Sequence, residues 1–487
     1  MHHILRLALA TATTAALTGA LLALPAVTAA AAAPAPDATA APPADFNGDG
    51  HPDLAIGAPL GKVGGRSYAG YVGVVYGSAK GLDTTKRQII SQDTAGVPGT
   101  PESRDYFGDR LTTGDLDGDG YTDLVVGVHA ERIGSTDDSG ALTVVWGSAA
   151  GLRTATDISA PLPEYRTELG WSVAAGDFDG DGDTDLAAAN ISSPGLNIFK
   201  GPISRKGVAT GLQGIDTGDQ SGINTDKLVA GDVTGDGTTD LVVMGQEDTS
   251  SGYRTRSVLY KGSPTGPVRG AKLAGGYEAV VADVNRDGFG DVVTGNFMEK
   301  SADEPNGGPG GAVTVTYGAA AGLSTRTPVR ITQDTSGVPG AGEKFDAFGW
   351  SLSAGDVNGD GYPDIAVGAE SESIGAASRA GAVVVLRGAK GGLTGTGAKA
   401  FNQDTAGVPG TAESQDHFGG AVALVDANRD GRAELVAGAA AENDGAGAVW
   451  YLGATASGTT ASGAKSFSGP TLGGPSGLSY FGDVLAG

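Results

Sequence analysis

Short apolar runs closed by glycine recur along this chain of 487 residues. Leu54 to Gly57, Leu124 to Gly127, Leu241 to Gly245 and Ile365 to Gly368 are of this kind. Runs of this length, β-prone and bounded by glycine, read as strands. A second set begins at glycine: Gly70 to Tyr76, Gly140 to Trp146, Gly311 to Tyr317, Gly381 to Leu386 and Gly447 to Leu452. A third is opened by Phe107-Gly108, Leu169-Gly170-Trp171, Phe348-Gly349-Trp350 and Phe418-Gly419, and leads into a polar loop. A fourth strand then runs on to the next unit. Four strands per unit is the pattern of a propeller blade. The chain is therefore expected to be all-β, a propeller of four-stranded blades.

Between the first two strands of each unit lies the same acidic nonapeptide, seven times over. The copies start at Asp45, Asp115, Asp177, Asp232, Asp283, Asp356 and Asp426, in steps of 51 to 73 residues. Place one is Asp, place five Asp, place six Gly, and place nine Asp or Glu. Oxygens at places one, three, five and nine, with a backbone carbonyl at seven, suit a hard cation. The first loop offers Asp45, Asn47, Asp49, His51 by its carbonyl, and Asp53. The second offers Asp115, Asp117, Asp119, Tyr121 by its carbonyl, and Asp123. The third offers Asp177, Asp179, Asp181, Asp183 and Asp185. The fourth has Asp232, Thr234, Asp236, Thr238 and Asp240, with Thr234 a weaker ligand. The fifth has Asp283, Asn285, Asp287, Phe289 and Asp291. The sixth has Asp356, Asn358, Asp360, Tyr362 and Asp364. The seventh has Asp426, Asn428, Asp430, Arg432 and Glu434. Loops five and seven replace the first glycine with Arg286 and Arg429. These are not EF-hands, which need a bidentate Glu at place twelve between two helices. Up to seven structural Ca2+ ions are expected, and no catalytic residue or organic cofactor is assigned.

The Phe-Gly starts, the acidic loops and Gly57-Ala58-Pro59 resemble the FG-GAP repeats of integrin α-subunits and of VCBS-type, integrin-like secreted bacterial proteins. The resemblance covers roughly residues 44–487 and implies a seven-bladed propeller with calcium in its hairpin loops. Gly-Ala-Pro becomes Gly127-Val-His129, Gly368-Ala-Glu370 and Gly438-Ala-Ala440 in later units. The fourth and fifth units lack Phe-Gly and are the shortest. No stretch resembles integrin leg or membrane segments, so a receptor role is not expected.

The formal charge is −24, and 23 acids stand at places one, three, five and nine. Much of the acidity is thus loop chemistry. It also argues against nucleic acid as a partner, because phosphate binding needs a basic surface. With no cysteine, metal and packing must replace disulfides. Residues 1–30 read as a secretory signal peptide: a weakly basic start, then an Ala/Leu-rich run and small residues. Residues 31–43 are an Ala/Pro-rich linker. The expected product is a secreted, extracellular monomer, with no membrane span in the mature chain.

The first unit has no Phe-Gly strand before its loop, whereas Tyr480-Phe-Gly-Asp-Val-Leu-Ala-Gly487 is such a strand with no loop after it. Residues Phe481 to Ala486 are expected beside Leu54 to Gly57, closing the ring. Three near-identical segments, Gln92 to Gly99, Gln333 to Gly340 and Gln403 to Gly410, are expected on the face opposite the acidic loops, as repeated corners or as a ligand-contacting rim. Loops on rigid scaffolds carry binding. The expected function is adhesion or recognition of an extracellular protein or glycan. The alternative is an extracellular carbohydrate-active enzyme, a polysaccharide lyase or hydrolase, on a calcium-stabilised propeller. His129 and His417 are expected to be exposed loop residues.

Overall fold

The computed structural model describes residues 44–159, 166–191, 195–218, 223–249 and 252–487. The expected signal peptide and linker, residues 1–43, lie outside the described residues. Seven four-stranded antiparallel sheets follow one another as the blades of a β-propeller. The second blade is typical. Its strands are Arg110–Gly114, Asp123–Val128, Ala141–Trp146 and Thr154–Ser159, paired in sequence order from the channel outward.

The middle strands are buried along their whole length, as in Leu54–Ala58, Tyr71–Tyr76 and Asp123–Val128. A strand covered on both faces is apolar at every place, not at alternate places. That explains the continuous apolar runs. The covering comes from the neighbouring blade. Val72, Val74 and Ile90 of blade one share a core with Phe107, Leu124, Val126 and Val145 of blade two. Leu54, Ile56 and Tyr71 on its other side share a core with Val436, Val449 and Phe467 of blade seven.

Phe-Gly and Gly-Ala-Pro meet at these seams. A Cβ placed on Gly57 would stand 2.1 Å from the carbonyl oxygen of Gly108 in the next blade. The same holds for Gly368 against Gly419 at 2.1 Å and Gly438 against Gly482 at 2.0 Å. No side chain fits there, and Gly108 also has a φ of 95°, which favours glycine. Each Phe-Gly aromatic ahead of the glycine is fully buried: Phe107, Phe348, Phe418 and Phe481 are at 0 % exposure.

The ring closes as the sequence implied. Val484–Ala486 pairs with the strand Leu54–Ala58, in the register Ala55 to Ala486, Ile56 to Leu485 and Gly57 to Val484. Pairing begins at Val484, because Phe481 to Asp483 form the turn that brings the chain in. The repeated corner segments have a structural role. Gln92 donates to Glu131, Gln333 to Glu372 and Gln403 to Glu442, at 2.7, 2.6 and 2.7 Å. The three glutamines are at most 7 % exposed. Each tie joins a corner to the loop after the second strand of the next blade. The fourth blade departs from expectation in one respect. Its unit is short, yet its strands Asp240–Thr249 and Gly252–Lys261 are the longest, and they form one extended hairpin.

Candidate metal loops and the channel mouth

The seven acidic loops share one hydrogen-bond scheme. The place-one carboxylate accepts the N–H of the place-six glycine in every loop, at 2.6 to 2.9 Å. The place-five carboxylate accepts the N–H of place seven, at 2.9 to 3.2 Å. Arg286 and Arg429, where other loops have glycine, still adopt a left-handed φ of 56° and 58°. The loop conformation is therefore kept at some backbone strain.

Place nine does more than the sequence disclosed. Its carboxylate is at most 2 % exposed in all seven blades. In six it accepts the N–H of the glycine after the third strand, at 2.7 to 3.1 Å. In five of these six its other oxygen takes the place-two N–H, as with Leu116 on Asp123 at 2.9 Å; Asp291 is the exception. Place nine thus staples the loop entry to the third strand. Glu434, one methylene longer, instead binds Ala427 N–H and Asn428 Nδ2, at 3.1 and 2.6 Å. Burial, with the neighbouring loop acids adding to it, pushes Asp53, Asp123, Asp364 and Glu434 up to about 7 and Asp291 to about 8. Asp185 and Asp240 rise to about 6 for the same reasons.

Three loops hold acids close enough to share a metal ion: Asp115, Asp117 and Asp123; Asp177, Asp179 and Asp185; and Asp426, Asp430 and Glu434. The remaining loops carry Asn47, Thr234, Asn285 or Asn358 at place three. The donor set fits a hard cation on a further ground. Buried oxygens without a hydrogen-bond partner recur within these loops: Oδ1 of Asp117, Asp179 and Asn285, and Oδ2 of Asp291. A buried acceptor left unpaired is costly, and an ion held by these oxygens removes that cost.

The inner strands run from these loops to the opposite end of the central channel. A cavity of about 830 Å3 runs along the channel, lined by inner-strand residues such as Thr113, Ala175 and Ala230, and opens at that end. Tyr277, Phe297 and Trp350 form a continuous aromatic wall, with ring centres 4.4 and 4.6 Å apart. Trp350 is 37 % exposed. Glu370, His417, Asp109 and Asp483 also line the cavity. Burial pushes Glu370 up to about 7 and Asp483 to about 6, each with neighbouring acid charge adding to it. Arg110 lies 2.9 Å from Asp109 and sits over the ring of Trp171.

The two histidines are not freely exposed. The His129 side chain is 12 % exposed, stacked on Tyr106 and edge-on to Trp171, with Nδ1 3.8 Å from Asp109. His417 Nδ1 lies 3.7 Å from Glu370. Burial lowers both histidines below the usual imidazole range. Sequence reasoning expected ligand contact on this face but missed the channel mouth and its aromatic wall, although a signal was present. His129, Phe297 and Glu370 all stand two places after the closing glycine of a second strand, where the first unit has Pro59. Departures from the repeat motif mark the cavity.

A propeller with acidic hairpin loops and Phe-Gly seams defines the class. Comparison with known proteins sharpens it. The chain carries FG-GAP repeats: that family model matches residues 38–75, 348–386 and 418–452, and an FG-GAP-like repeat model matches 115–188. The chain is similar to phosphatidylinositol-glycan-specific phospholipase D of Rattus norvegicus, 32 % identical over 232 residues, which cover 46 % of this chain and 25 % of the relative. It is similar to integrin alpha-PS2 of Drosophila melanogaster, 31 % identical over 228 residues, covering 42 % of this chain and 15 % of the relative. It is also similar to integrin alpha-IIb of Mus musculus, 31 % identical over 299 residues, covering 54 % and 26 %. The chain thus matches about a quarter or less of the length of these relatives. No helix among the described residues is long and apolar enough to cross a membrane.

Proposed function

We propose that this chain is a secreted, calcium-stabilised recognition module that binds an extracellular protein or glycan at the channel mouth. The observation that carries the reading is the aromatic and acidic cavity, which breaks the sevenfold pattern on one face only. Pockets with aromatic walls and a few placed polar groups are the usual form of a binding site. The wall of Tyr277, Phe297 and Trp350 offers apolar contact. The carboxylates around it accept hydrogen bonds, so the cavity suits a ligand with an apolar face and many donors. Similarity to a phospholipase and to integrin α-subunits supports a shared module, because the matched part is the propeller and not the whole protein. The N-terminal 30 residues support secretion.

Calcium would be held by places one, three, five and nine with the place-seven carbonyl. Bound there, it supplies positive charge that offsets crowded carboxylates and rigidifies the hairpins. A cation that binds only the folded form stabilises it by mass action. The test is direct. The calcium-loaded protein is screened on glycan and protein arrays, and any ligand is titrated against Trp350→Ala. Loss of binding with an unchanged melting curve supports the mouth. Hydrogen-exchange protection confined to the acidic loops would overturn it. Excess chelator should lower the melting temperature, and an unchanged curve would sink the calcium reading.

A second reading is a carbohydrate-active enzyme at the same mouth. Glu370 and Asp483 favour it, since carboxyls held near neutrality suit general acid–base work. Turnover of a polysaccharide, abolished in Glu370→Gln, would favour this reading; saturable binding without turnover favours the first.

A further inference from the structure

Among the seven acidic loops, only the second and third have a carboxylate at place three, so only they hold four acids among the four side-chain places. In both, a cationic side chain from outside the loop meets that extra carboxylate. Arg205 Nε donates to Asp117 Oδ2 at 2.5 Å, and its NH2 donates to Asp119 Oδ2 at 2.6 Å. Lys200 Nζ donates to Asp179 Oδ2 at 2.8 Å. In both loops the other oxygen, Oδ1, remains buried and without a partner. Two of the four asparagine loops, the sixth and seventh, reach a similar arrangement with their own amide. Asn358 Nδ2 donates to Asp360 at 2.7 Å, and Asn428 Nδ2 to Glu434 at 2.6 Å. In each case one end of the place-three side chain is tied, and the charge at that place is neutral or neutralised.

We propose that Arg205 and Lys200 are tethered counter-ions. They offset the extra place-three charge of the two most acidic loops, hold those loops together without metal, and weaken their grip on a divalent cation. The proposal rests on the calcium reading above. Its physical basis is ordinary electrostatics. Four close carboxylates repel one another when no ion is bound, and a guanidinium or ammonium beside them offsets one charge. The same cation repels an incoming dication. Arg205 has a second consequence. It belongs to the third blade, in the turn where Ser204 and Val208 pair, and its carbonyl accepts Thr156 Oγ1 of the second blade at 2.9 Å. The charge that steadies the second loop is thus delivered across a blade seam. Lys200, at the end of the strand Gly195–Lys200, acts within its own blade.

The experiment is a chelator-competition calcium titration of the full chain, with melting curves in chelator and in saturating calcium. The proteins are wild type, Arg205→Met, Lys200→Met, and Arg205→Met combined with Asp117→Asn. Each single variant should tighten one class of site about tenfold, the repulsion expected between a monovalent and a divalent cation a few ångströms apart in a water-exposed setting. Each should melt lower than wild type in chelator and level with it in saturating calcium. The double variant gives the second loop the Asn found in the first, fifth, sixth and seventh loops. It should recover both the wild-type affinity and the metal-free melting temperature. If wild type binds calcium but the single variants bind it equally or less tightly, the counter-ion proposal fails and the calcium reading stands. If wild type binds no calcium, both fail.

Discussion

The two ends of the central channel are built on opposite principles. At one end, seven loops repeat the same carboxylate-to-backbone bonds with little variation. At the other, equivalent backbone positions carry unlike residues. The place after Phe-Gly or Leu-Gly holds Asp109, Trp171, Trp350, Gly420 and Asp483 in turn. The second place after the closing glycine holds Pro59, His129, Phe297, Glu370 and Ala440. Repetition serves the scaffold, since each blade must solve the same packing problem. Recognition of an asymmetric ligand requires the symmetry to be broken, and it is broken where the channel opens.

The contrast can be tested by removing parts from each end. Deleting residues 480–487 should have the largest effect. It strips blade one of its inner strand and removes buried Phe481, leaving an exposed edge that invites association. Aggregation or loss of a single cooperative transition is expected in scattering and denaturant melts; a truncated protein as stable as the full chain would refute closure. Next comes Asp123→Ala, which unpairs two buried N–H groups, those of Leu116 and Gly147. A cost of about 2–4 kcal/mol is expected even in chelator. Asp119→Ala, at an exposed place, should cost about 1 kcal/mol or less under the same conditions. Equal losses would show that place nine is no staple.

A smaller effect concerns pH. Burial holds Glu131 up at about 7, with the charges of Asp105, Asp157 and Glu102 adding to the rise and the hydrogen bond from Gln92 opposing it. A carboxyl raised on folding keeps its proton longer in the native state than in the unfolded chain. Stability is then fully present below the unfolded value of 4.5 and falls as pH rises toward 7. Glu131→Gln should flatten that part of the pH–stability curve, measured by denaturant melts between pH 4.5 and 7. A slope identical to wild type would contradict it. The smallest stability effect is expected for Trp350→Ala at the mouth, about 1 kcal/mol or less, read by the same melts.

Most of the scaffold was legible in the sequence because its signals are local. Gly-bounded apolar runs gave the strands, and the leftover Tyr480-Phe-Gly gave the closing strand. The acidic loops were legible as a pattern but not in their division of labour. Place nine read as one more metal ligand, while its bond to a glycine such as Gly147, 24 residues on, depends on how the third strand returns. Arg205 lies 88 residues from Asp117, and no spacing rule links them. The mouth was least legible. Tyr277 and Phe297 come from one blade, 20 residues apart in the chain, and Trp350 from the next, so the wall is complete only when neighbouring blades pack. His129 and His417 read as exposed because the aromatic and acidic groups that cover them are distant in the chain.

The closing strand has a bearing on how the molecule is made. Residues 484–486 are the last of the domain to be synthesised, and they pair with residues 55–57, among the first. Until they emerge, the earliest blade keeps an unsatisfied strand edge. Blades two to seven can form in the order of their translation, but the circle cannot be completed until residues 484–486 are available. A protein of this design completes its ring last, and must keep its first blade from pairing with a stranger until then.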